Sequence, residues 1–83
     1  MKLPVIRKLS EYSLTEINNS IKVLESITDS RGISEDELDV LGEILSNLYG
    51  AQNVRESIMR GLKRTDALNK FMQRVTSVGK WVI

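Results

Sequence analysis

The sequence contains no cysteine and no histidine. These two absences exclude disulfides, thiol nucleophiles, imidazole bases and the common zinc sites together. Proline occurs once and aromatic residues make up 5% of the chain. Long helices are therefore unobstructed, and a stacking platform for single-stranded nucleic acid is not available. No apolar run approaches the roughly 20 residues of a membrane span. The opening stretch, Met1 to Leu9, is interrupted by Lys2, Arg7 and Lys8 before any apolar segment of signal-peptide length. The expected location is cytoplasmic.

What is present is a soluble globular composition, 41% apolar and 28% charged over 83 residues. A chain of this size folds as one small domain and hides only about 60–65% of its unfolded surface. Its core is thin, and support from a partner or a second copy is expected. The net charge of +1 conceals a segregated pattern. Residues 1–33 are nearly balanced. Residues 34–53 carry five acids, Glu35, Asp36, Glu37, Asp39 and Glu43, and no base. Residues 54–83 carry seven bases and two acids. A basic field over the whole chain, as in a nonspecific nucleic-acid binder, is absent.

Apolar spacing is helical throughout, and no segment alternates with period two. Pro4 suits a first helical turn, and Val5, Ile6, Leu9 and Tyr12 follow on one side, predicting a helix over about 4–12. Ser13-Leu14-Thr15-Glu16 is a capping box that opens a second helix, about 14–28, with Leu14, Ile17, Ile21, Leu24 and Thr28 on its inner face. Asp29-Ser30-Arg31-Gly32 is turn chemistry. Ser34-Glu35-Asp36-Glu37 is a second capping box. Behind it, Leu38, Leu41, Leu45, Leu48, Ala51, Val54, Ile58 and Leu62 keep one stripe past Gly50 without a break. The stripe predicts one long helix, about 35–60, with Gly61 at its C-terminal end. Acids in its first turns and Arg55, Arg60, Lys63 and Arg64 at its end suit the helix dipole. A glycine inside a helix costs about 1 kcal/mol relative to alanine, so Gly50→Ala is expected to be neutral or stabilising. Thr65 and Asp66 open a last helix, about 66–77, with Leu68, Phe71, Met72 and Val75 inward. Val78 to Ile83 follow as a tail. The fold class is all-α, a small bundle of three to four helices with one long helix.

Four strings, Met1-Lys2-Leu3-Pro4-Val5-Ile6, Asp36-Glu37-Leu38-Asp39-Val40-Leu41-Gly42-Glu43, Ser46-Asn47-Leu48-Tyr49-Gly50-Ala51 and Ala67-Leu68-Asn69-Lys70-Phe71-Met72, resemble a family of short helical proteins of unknown function from Bacteroidetes. The similarity runs end to end, with a shorter first inter-helix region here. The resemblance implies a bacterial source or a phage of such a bacterium, and for a phage-encoded chain the expected location is the virion. It implies no activity and supplies no site residues.

No catalytic, cofactor or metal site is expected. Glu35, Asp39 and Glu43 form an i, i+4, i+8 ladder of hard oxygen ligands, but a solvated first helix face accounts for it. An EF-hand register fails, because Gly32 at loop position 6 puts Ile27 and Leu38 at ligand positions 1 and 12. A helix-turn-helix with its turn at residues 46–51 would place Glu56 at a buried position and break a continuous stripe. The expected function is a non-enzymatic helical protein–protein interaction module, a subunit or accessory protein of a larger bacterial or phage assembly. Its expected contact residues are the apolar tail Trp81, Val82 and Ile83 and the basic group Arg60, Lys63 and Arg64. The partner is another protein or a second copy of the chain, not a membrane. The alternative is a small nucleic-acid-associated regulator that uses the basic last third.

Overall fold

The computed structural model describes the backbone of residues 1–82 and the side chains of residues 1–75. It is all-α, with helices α1 (Leu3–Leu9), α2 (Leu14–Thr28), α3 (Glu35–Met59) and α4 (Arg64–Val82). Helix α3 is central and packs against the other three. Helix α2 runs antiparallel to it, with Gln52 Nε2 donating to Asn18 Oδ1 at 2.6 Å and Tyr49 Oη to Glu25 Oε1 at 2.7 Å. Helix α1 lies along the second half of α3. The Lys2 backbone N–H donates to Asn47 Oδ1 at 2.8 Å, and Ile6 sits beside Gly50.

The helices begin where local chemistry satisfies their orphan donors. Both capping boxes form: the Ser13 and Ser34 hydroxyls accept from Glu16 and Glu37 N–H, and each carboxylate reaches back to its serine N–H. Ser34→Ala should cost about 1 kcal/mol. Helix α3 runs unbroken through Gly50 and stops at a Schellman motif. There the Leu62 N–H bonds to Ser57 O at 3.1 Å and the Gly61 N–H to Ile58 O at 3.0 Å. Gly61 takes φ 106°, and nothing lies within 4 Å of where a Cβ would be. Gly61→Ala is therefore expected to lose about 1–2 kcal/mol from backbone strain alone. Urea denaturation would check this; an unchanged midpoint would mean that the turn relaxes freely.

Two apolar clusters flank α3. One joins Ile6, Val54, Ala67, Leu68 and Phe71, with Ile58, Leu62, Met72 and Val75 against it. The other joins Ile17, Ile21, Leu45, Leu48 and Ala51, with Leu9 and Leu24 against it.

Several expectations need correction. Helix α1 ends at Leu9, not near residue 12, because the Ser10 hydroxyl donates to Arg7 O at 2.7 Å and the chain tightens into turns. Tyr12 lies past that end and is exposed; Val5 lies inside the helix but on its outer side, so neither is a core residue. Leu38 is exposed as well, since α2 reaches only part of the way along α3. Helix α4 starts at Arg64, two residues early, and its backbone stays helical to Val82 through the span expected to be a tail. The bases assigned to the end of α3 lie outside its last turn: Arg60 is the C-cap, while Lys63 and Arg64 stand at the start of α4. At the positive N-terminal end of α4 the dipole disfavours Lys63 and Arg64, whereas Arg60 at the α3 C-cap is favourably placed. Asp66 in the first turn and an Arg64–Glu11 ion pair at 3.3 Å offset this.

Candidate functional site

Chain segregation of charge becomes spatial segregation on α3. Its first turns, held by the Ser34 capping box, project past the main packing of α2 and carry all five acids of the segment on exposed positions. Between these turns and the end of α2 lies an open groove of about 400 Å³, lined by Ile27, Ile33, Asp36, Glu37, Val40 and Leu41. Val40 is 55% exposed, and Ile44, one turn after it, and Val23, one turn before Ile27, are exposed as well. The groove is apolar at its floor and acidic at its rim.

Within that rim, the Ser34 backbone N–H and then the Ser34 hydroxyl hold the Glu37 carboxyl below the usual 4.5. A depressed carboxyl contributes stability above its unfolded value and loses it as pH falls through the folded one. The cap should weaken on acidification below about pH 4.5. A Glu37→Gln variant should show a shallower fall of melting temperature through the same window; parallel pH profiles would exclude the cap as a contributor. Across the groove's helix pair, the hydrogen bond to Glu25 raises the Tyr49 hydroxyl above its usual 10.

The acid ladder does not converge. Glu35, Asp39 and Glu43 are exposed, and no group of three acidic side chains among the described residues is placed to hold a metal ion.

The other half of the molecule is basic. Arg60, Lys63 and Arg64 are brought together at the α3–α4 corner. Lys63 is exposed, Arg60 donates to Ser57 Oγ at 3.4 Å, and Arg64 is half-buried in its pair with Glu11. Arg64 is thus partly committed inside the chain, whereas Arg7, missed as a site residue, lines a second groove. That groove, about 320 Å³, is walled by Leu3, Pro4 and Arg7 of α1 and Thr65, Leu68 and Asn69 of α4. Neither groove could be read from periodicity, because each is made by residues from more than one element. A third concavity of about 250 Å³ lies between Leu9, Tyr12, Ile17 and Leu48, against Glu16 and Ser20. The side chains of Trp81, Val82 and Ile83, the remaining expected contact residues, lie outside the described ones.

A helix-turn-helix at residues 46–51 is incompatible with the unbroken α3. Among the described residues, no helix is long and apolar enough to cross a membrane.

These features define a small all-α protein built on one long central helix, with apolar grooves open to solvent at an acidic tip and beside a basic corner. The model of a family of unknown function, DUF6952, matches residues 1–78, and the chain belongs to that family. Comparison with curated proteins and with solved structures finds no significant match.

Proposed function

We propose that this chain is a non-enzymatic protein–protein interaction module, a subunit or accessory protein of a larger assembly in a bacterium or its phage, of which a virion is one form. The resemblance to short helical proteins from Bacteroidetes supports that source, with a cytoplasmic or virion location. The observation that carries the reading is uncovered apolar surface on a thin body. The molecule is flat, 42 × 35 × 17 Å. Val23, Val40, Ile44 and Met59 are large apolar side chains left exposed on it. Contiguous apolar surface rimmed by charge is the usual mark of an interaction site. Docking would bury the grooves, while the acidic and basic regions would set orientation and encounter rate.

The test is the native mass of the chain, extracted from its own cells at natural abundance after mild crosslinking. Migration in a complex well above the mass of one chain is expected; migration as a free monomer would overturn the reading. The basic corner favours a second reading, a regulator that contacts nucleic-acid phosphates. Retention on nucleic acid that falls steeply with salt near physiological ionic strength would support it. Glu11 against Arg64 reduces the free positive charge there.

A further inference from the structure

We propose that the acidic apolar tip docks on the basic corner of a second copy of this chain. The proposal rests on the interaction reading above and names its partner. Three observations lead to it. The tip presents exposed Val40 and Ile44 beside a groove whose rim is Asp36 and Glu37. A counterpart of opposite sign exists on the same chain: the α1–α4 groove has an apolar wall of Leu3 and Leu68, with Arg7 in its lining and exposed Lys63 just before α4. The two regions cannot dock on each other within one molecule, because the tip groove lies between α2 and α3, the other lies between α1 and α4, and both are fixed on the same central helix.

A contact of tip on tip would set acids against acids, and corner on corner bases against bases. Only the heterologous pairing satisfies charge and covers apolar surface at the same time. It needs no third component, and it can be made once between successive copies or twice within a closed antiparallel pair.

The test uses the full chain in sedimentation velocity at low salt, with two double variants at exposed positions. Val40→Asp with Ile44→Asp blocks the tip. Arg7→Glu with Lys63→Glu blocks the corner. The wild type is expected to gain mass with concentration and to lose the gain as salt is raised. Each variant alone should stay a monomer with unchanged helical circular dichroism. Mixed in equal amounts they should form a one-to-one pair of about twice the monomer mass, because the mixture retains one intact tip and one intact corner. Self-association of the corner variant at wild-type strength would show tip-on-tip pairing and overturn the proposal. So would a wild type that stays monomeric at its highest soluble concentration. If that purified monomer still runs in a large complex when extracted from cells, the second-copy partner falls and the interaction reading stands. If the extracted chain also runs alone, both fall.

Discussion

Ile6→Ala is expected to destabilise the protein by about 2–5 kcal/mol, the range for removing most of a fully buried aliphatic side chain. Ile6 is 1% exposed and sits where α1, α3 and α4 meet, in one cluster with Val54, Ala67, Leu68 and Phe71. It is the one buried residue in the seven of α1. Little else seats that helix: the hydrogen bond from Lys2 to Asn47 and partly buried Leu9 remain. A chain of this length has a total stability of roughly 4–12 kcal/mol. The loss is therefore a large fraction of the whole, and the melting temperature should fall by about 10 °C or more. Val5→Ala is the control. Val5 precedes Ile6 in the same helix but is 38% exposed, so its loss should be small, within about 0.5–1 kcal/mol. Similar effects from the two substitutions, read by urea denaturation, would mean that α1 does not dock through Ile6.

That contrast shows where a periodic reading works and where it stops. Helix α2 was legible to the residue, because a capping box marks its start and turn chemistry its end. Helix α3 was legible for the same reasons, with Gly61 as its stop. Helix α1 has no side-chain cap, and only packing decides which side of it is buried. Spacing grouped Val5, Ile6, Leu9 and Tyr12 over an arc too wide for one contact.

A second limit appears on α3 itself. The stripe located Leu45, Leu48 and Ala51 toward α2 and Val54 toward α1 and α4, but α3 also buries Asn47 toward α1, Gly50 against Ile6 and Phe71, and Ser57. Asn47, Gly50, Val54 and Ser57 follow 3,4,3 spacing. That is a second stripe, composed mostly of small or polar residues that add little to a hydrophobic pattern. A central helix with neighbours on opposite sides needs two stripes, and hydrophobic spacing marks only the apolar one. The candidate surfaces were legible in the same partial way. Charge segregation along the chain pointed to an acidic and a basic region. The apolar grooves beside them depend on how far α2 and α1 extend along their neighbours, which pairwise spacing does not contain.

Gly50→Ala brings these points together and reverses the expectation from propensity. It should destabilise the fold by about 1–2 kcal/mol, although alanine is the better helix former. The propensity gain is about 1 kcal/mol in a helix interior. Against it, a Cβ at position 50 would lie 2.8 Å from Ile6 Cδ1, 3.1 Å from Phe71 Cζ and 3.2 Å from Ile6 Cγ1. Ile6 is 1% and Phe71 7% exposed, so neither side chain can swing into solvent to make room. Overpacking a closed core costs about 1–3 kcal/mol, and its upper part exceeds the gain. Gly50 serves close approach within an unbroken helix and not positive φ, which only Gly32 and Gly61 adopt among the described residues. A destabilised Gly50→Ala is thus compatible with an unbroken α3. The discriminating measurement is the double variant Gly50→Ala with Ile6→Val, which removes the nearest methyl. If steric contact with Ile6 is the cause, the double variant should be more stable than the sum of the two single effects by about 1 kcal/mol, a coupling that neighbouring residues commonly show. If Gly50→Ala proves neutral or stabilising, α1 and α4 yield at this point, and the close approach of three helices at Gly50 does not constrain the fold.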